Sequence, residues 1–201
     1  LLALAQRTSL RSERLPNLDG LLMDPDRDRR SLLLTLATEM ILLRQTDDIL
    51  RPTRSAIEWL QKSREAQLRA LVDAWSRTFW NELRHTPGLV VEGESWQNDP
   101  LLARTALMDA LPADEHWYRL ADLVAVIRQQ DPDFQRPDGN YETWYIRDAD
   151  TQDYLSGFGD WDGVEGRLLR YLVQGPLYWL GMVELSAANA ADATYRLTTR
   201  A

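Results

Sequence analysis

The chain has 201 residues, 44% of them hydrophobic and 27% charged, with 23 basic and 31 acidic side chains and a net charge of −8. That balance is globular and excludes a disordered chain, and the length suffices for one large domain or two small ones. Zero cysteines exclude disulfides and thiolate metal sites and fit a cytoplasmic protein, and no apolar run approaches the roughly 20 residues that span a bilayer.

In chain order, Leu32, Leu33, Leu36, Ala37 and Met40 form the apolar stripe of a helix over Asp28 to Met40. Two short apolar runs around Asp47-Asp48 then read as a small hairpin near Leu42 to Leu50. Pro52 cannot donate to a ladder, so its strand lies at an edge or ends there. Thr53 can cap a helix that turns Ala56, Ile57, Trp59 and Leu60 inward. A longer helix is predicted from Arg64 to Leu83, with Leu68, Leu71, Val72, Trp75, Phe79 and Leu83 on one face. His85 to Gln97 is a loop, and Asp99-Pro100 opens another helix with a cap and an N1 proline.

Trp117, Leu120, Leu123, Val124 and Ile127 mark a further amphipathic helix. Asp131 to Gly163 reads as an irregular loop with a short strand at Trp144 to Arg147. A helix over Val164 to Val173 is predicted to break at Gly175-Pro176, with a shorter one restarting through Leu180. Met182 to Leu185 and Thr194 to Thr198 then form a second hairpin.

The two hairpins suggest an internal repeat. Leu50-Arg51-Pro52-Thr53 and Tyr195-Arg196-Leu197-Thr198 each place an arginine two residues before a threonine at the end of the return strand. Helices followed by a two-stranded hairpin are the layout of a winged helix. The predicted fold is therefore mainly α with small β-hairpins (α+β). Two tandem winged-helix-like units, 1–63 (incomplete at its N-terminus) and 116–201, are joined by a helical segment over 64–115.

Five strings carry a family resemblance: Asn81-Glu82-Leu83-Arg84-His85-Thr86-Pro87-Gly88, Asn98-Asp99-Pro100-Leu101-Leu102-Ala103-Arg104, Pro132-Asp133-Phe134-Gln135-Arg136-Pro137-Asp138-Gly139, Trp144-Tyr145-Ile146-Arg147-Asp148 and Gly175-Pro176-Leu177-Tyr178-Trp179-Leu180-Gly181. From about residue 40 onward the chain resembles bacterial helicase-associated proteins whose winged-helix region is similar to the N-terminal region of XPB-type DNA helicases. The resemblance implies tandem winged-helix units in a nucleic-acid-related setting and implies no reaction. No phosphate loop of the form G-x-x-x-x-G-K-[ST] is present, so no motor activity carries over. With no initiator Met and no signal-peptide pattern, the chain is expected to lie inside a longer gene product.

Charge is uneven, at +1 over residues 1–63, −4 over 64–115 and −5 over 116–201. Lys62 is the only lysine; the arginine bias suits phosphate recognition, and biased genomic composition would produce it too. The candidate phosphate contacts are Arg44, Arg51 and Arg54 in the first unit, and Arg167, Arg170, Arg196 and Arg200 in the second. Because the chain is acidic, binding to duplex DNA is expected to be weak and to come mainly from the near-neutral first unit. Trp144, Tyr145 and Trp161, in polar glycine-rich surroundings, are the candidates for a partner surface, including other domains of the parent protein.

Asp148, Asp150, Asp153, Asp160, Asp162 and Glu165 form the densest carboxylate cluster. An EF-hand starting at Asp148 would need Gly and Glu where Asp153 and Gly159 stand, so solvated turn carboxylates and caps are favoured over a cation site. His85 and His116 stand alone, without zinc-enzyme spacing. No metal, cofactor, catalytic residue or membrane contact is expected. The functional expectation is a non-enzymatic module that positions a larger protein on DNA or a partner, the alternative being a purely protein-binding scaffold.

Overall fold

The structure, a computed structural model, describes residues 10–11, 26–46, 49–93, 98–186 and 193–198. Contacts divide the chain into two units, Leu1–Thr78 and Phe79–Ala201. The expected connector is therefore shared out. Its first helix packs inside the first unit, and everything from Phe79 onward belongs to the second.

In the first unit the Asp26 carboxylate accepts from the Arg29 N–H at 2.8 Å and opens helix α1, Arg27–Glu39. Leu32, Leu36 and Ala37 are its buried face. Three strands, β1 (Leu10–Arg11), β2 (Leu43–Thr46) and β3 (Ile49–Pro52), form an antiparallel sheet in the order β1-β3-β2. Two helices follow, α2 (Arg54–Leu60) capped by Thr53 and α3 (Arg64–Trp75) capped by Ser63. Ala37, Leu42, Leu43 and Ala56 form a buried cluster, with Leu34, Met40 and Trp59 packed against it.

Pro52 ends a central strand and not an edge strand. Thr53 donates its N–H across to Leu42 at 3.0 Å, so by strand alternation the nitrogen of Pro52 faces away from β2 and costs the ladder nothing. Two expectations fail in this unit. Helix α2 buries only Ala56 fully, and Ile57 and Leu60 are exposed, because a two-turn helix has one side against the hairpin. Helix α3 stops at Trp75 and not at Leu83. Phe79 lies 71% exposed, and Leu83 is buried in a 3-10 turn, Glu82–His85, of the other unit. One apolar stripe in sequence thus feeds two separate cores.

The second unit carries β4 (Leu89–Val91), helix α4 (Pro100–Ala110, capped by Asp99), β5 (Tyr118–Arg119), helix α5 (Leu120–Gln130) and β6 (Ile146–Asp148). A π-helical turn Asp162–Gly166, helix α6 (Arg167–Leu172) and a second π turn Val173–Leu177 then run together as one helix. Strands β7 (Val183–Leu185) and β8 (Thr194–Leu197) close the unit. Its main sheet has the order β5-β8-β7, and β4 pairs with β6 in a separate ribbon.

The expected helix break at Gly175-Pro176 does not occur. The wider π turn accommodates a proline that lacks an N–H and would clash with the carbonyl four residues back in a regular helix.

One local device recurs in both units. After α1, the N–H of Leu42 donates to Ala37 at 2.8 Å and that of Ile41 to Thr38 at 3.0 Å, with Ile41 at φ 56. After the second π turn, Met182 donates to Leu177 at 2.9 Å and Gly181 to Tyr178 at 3.0 Å, with Gly181 at φ 71. Both are Schellman terminations, which favour glycine at the left-handed position. In the first unit a β-branched residue holds that position, at a steric cost of about 1–2 kcal/mol. Ile41 is 59% exposed, so little packing is lost with it. Replacing Ile41 with Gly is expected to raise stability by about 1 kcal/mol in urea unfolding, and an unchanged or lower midpoint would contradict the assignment.

Candidate functional site

The repeat of residues 41–53 in 181–198 extends to individual atoms. The Thr53 hydroxyl donates to the Ile41 carbonyl at 2.5 Å, and the Thr198 hydroxyl donates to the Gly181 carbonyl at 2.8 Å. The N–H groups of the same threonines bond Leu42 and Met182, each at 3.0 Å. The strand registers then align Leu43↔Pro52 with Val183↔Leu197, and Arg44↔Arg51 with Glu184↔Arg196.

At that last position the two hairpins differ in charge. In the second unit Arg196 reaches the Glu184 carboxylate at 2.6 and 2.9 Å and lies 5.0 Å from the Trp117 ring centroid. In the first unit two exposed arginines stand opposite each other, and neither meets an acidic partner among the described residues. Like charges directly across a ladder are unfavourable, so this position stores repulsion that an anion would relieve. Arg54, at the start of α2, makes among the described residues only a solvent-exposed i,i+4 contact with Glu58 at 3.2 Å, which leaves it available to a ligand.

The described candidate arginines of the second unit, Arg167, Arg170 and Arg196, each pair with a carboxylate. Arg167 donates to the Gly88 carbonyl at 2.8 Å and to Asp148 at 2.7 Å, tying α6 to β6. Arg170 bonds Asp162 at 2.8 Å. Arg119 and Arg147 pair with Asp122 and Glu92, and Arg128 lies over the Phe158 and Trp161 rings. Arg200 lies outside the described residues. By sequence the first unit, 1–78, carries 13 basic and 11 acidic side chains (+2), whereas 79–201 carries 10 and 20 (−10).

The aromatic candidates separate. Tyr145 is 60% exposed, and Trp144 is half-buried with the Arg136 guanidinium 4.1 Å from its ring centroid. Trp161 corrects the sequence reading: it is fully buried, and its indole N–H donates to the Pro132 carbonyl at 2.8 Å. Polar neighbours in sequence concealed a core tryptophan.

Behind these surfaces lies a buried polar network that charge counting did not reveal. Arg104 is 3% exposed; it bonds Glu82 at 2.8 and 2.9 Å and the Trp80 carbonyl at 2.6 Å. Arg136 bonds Glu165 at 2.7 Å, both deep in the interior. Asn81 donates to Asn98 at 2.7 Å, and Asn98 to Gln135 at 3.1 Å. Burial raises the Glu165 pKa above the ordinary carboxylate value, and Arg136 only partly offsets this. Most of these residues (Asn81, Glu82, Asn98, Arg104, Gln135 and Arg136) sit in the motif strings that stand out in the sequence, so those positions serve packing.

Asp148 shows the opposite shift. It accepts backbone N–H bonds from Thr151 and Asp150 and an ion pair from Arg167, which together hold its pKa below the ordinary carboxylate value. A depressed folded pKa contributes stability above the unfolded value that is lost as pH falls through the folded one. Asp148→Asn is therefore expected to be less stable than the parent chain at pH 7. That gap should close only below about pH 4; a gap unchanged down to about pH 2 would contradict the assignment.

Among the described residues no group of three or more His, Asp or Glu side chains could hold a metal ion, and no helix is long and apolar enough to cross a membrane. His85 stacks on Trp80 with ring centroids 4.1 Å apart, and His116 lies 3.1 Å from Asp114. No family model, no curated protein and no solved structure matches the chain.

Proposed function

We propose that the chain is a tandem winged-helix module of a larger, DNA-related protein, of the helicase-associated kind that the sequence resembles, and that it acts by positioning and not by catalysis. In this reading the first unit meets the DNA backbone through Arg44 and Arg51, with Arg54 beside them. The second unit faces a protein partner.

Two features support a winged-helix arrangement. Each unit has a three-stranded sheet in the order first-third-second with the hairpin's return strand in the middle, and a helix leads into each hairpin, although in the second unit helix α5 and strand β6 come between the sheet's first strand and that helix. The observation that carries the DNA assignment is the Arg44↔Arg51 pair, without an acidic partner among the described residues where the equivalent Glu184↔Arg196 is neutral. Phosphate contact by such a wing orients a module without reading bases.

A labelled duplex titrated at low salt tests this. The double variant R44A/R51A is expected to bind about tenfold or more weakly than the parent chain. Equal binding by the two would refute the assignment. The competing reading, a scaffold that contacts only protein, is favoured by the −10 charge and carboxylate-paired arginines of the second unit. It predicts no duplex binding by either chain.

A further inference from the structure

The loop between α5 and the first π turn ends in an open depression of about 380 Å³ on the second unit, walled by Tyr141 and Phe158 and edged by Asp138 and Glu142. The Tyr141 and Phe158 rings meet edge to face, 5.4 Å between centroids at 84°. The depression is held open from several directions. The Tyr141 hydroxyl sits 2.5 Å from Asp133 Oδ1 and 2.8 Å from the Pro132 carbonyl. The Gly157 N–H donates to the Tyr141 carbonyl at 3.1 Å and joins the two walls. Gly139 and Gly157, at φ 65 and φ 75, turn the chain where a side chain would be strained.

Exposed carboxylates edge this wall, and Arg128, which no described carboxylate pairs, is the cation set against them. The carboxylates of Asp138 and Glu142 meet no basic group among the described residues, and both are exposed. Phe158 stays 48% exposed even with Arg128 lying 5.4 Å from its ring centroid. Arg136 likewise lies 4.8 Å from the Tyr141 ring centroid, with its charge answered by Glu165. Aromatic faces beside exposed carboxylates attract guanidinium and ammonium groups and repel anions, and Asp138, which accepts the Asn140 N–H at 3.2 Å through Oδ1, keeps its other oxygen for such a group. The surrounding unit, at −10, adds a long-range field of the same sign.

We propose that this depression is the docking site for an arginine or lysine side chain of a basic protein segment. The inference gives the partner in the reading above its chemistry and rests on that reading only for the second unit's role. The incoming cation lies against the exposed part of Phe158 and is met by Asp138 and Glu142, while the flanking residues of the segment run over the acidic surface.

The test uses the full chain and a fluorescent Arg-Gly repeat peptide, followed by anisotropy at moderate salt. The D138N/E142Q and F158A variants are each expected to weaken binding about tenfold. The control D109N/D150N removes the same charge from exposed positions elsewhere and is expected to retain binding. Equal weakening by the control would reduce the effect to bulk charge attraction and overturn the site. Absence of any peptide binding by the parent chain would overturn it too. Circular dichroism confirms that each variant is folded, and duplex binding by the same variants keeps a failure here distinct from failure of the hairpin assignment.

Discussion

Replacing Arg44 with Glu is expected to abolish most duplex binding while leaving the fold intact or slightly firmer. The substitution writes the second hairpin's Glu–Arg pair into the first. The introduced carboxylate would face Arg51 as Glu184 faces Arg196, and the new ion pair would satisfy Arg51. A cross-strand repulsion becomes an attraction, for a gain of about 0.5 kcal/mol at an exposed site. Loss of two charged phosphate contacts weakens binding by roughly ten- to a hundredfold. The mirror change, Glu184→Arg, frees Arg196 and is expected to create salt-sensitive anion binding in the second unit at some loss of stability. Unchanged affinity in R44E would show that the hairpin does not touch DNA.

Arg104→Ala is expected to produce the largest loss of stability in the chain. Its guanidinium is buried, chelates Glu82 and satisfies the Trp80 carbonyl. Removing it strands a buried carboxylate, which costs about 3–5 kcal/mol. In a unit of this size that lowers the melting temperature by about 10–20 °C. The double replacement E82L/R104M removes both charges and is expected to recover much of the loss, because apolar residues of similar volume avoid the desolvation penalty. If the double variant is as unstable as the single one, the network acts through its other hydrogen bonds and not through the ion pair.

Hairpins and caps were legible in the sequence because their signals are local. Thr53 and Asp99 cap the helices that follow them, and the Arg-x-Thr echo at 51–53 and 196–198 marks a repeat that the hydrogen bonds reproduce atom by atom. Features set by distant partners were not legible. Arg167 and Arg170 look like surface cations until Gly88, Asp148 and Asp162 are brought to them. Trp161 sits among glycines and aspartates in sequence and among Pro132 and Phe134 in space. Phe79 and Leu83 continue an apolar stripe that the boundary after Thr78 cuts. Gly175-Pro176 reads as a helix stop because propensity takes no account of a π turn. The arginine pair of the first hairpin fell between these cases. Its members were visible, but their opposition required the register.

Whether the first hairpin holds DNA phosphates is decided by the salt dependence of duplex affinity. Each phosphate contact contributes about 0.9 to the slope of log K against log salt. Measured from about 20 to 200 mM salt, R44A/R51A is expected to show a slope shallower than the parent chain by about 1.8, and R167A/R170A a slope close to the parent's. A parent slope that survives loss of Arg44 and Arg51, or that falls only with Arg167 and Arg170, would contradict the assignment of DNA contact to the first hairpin.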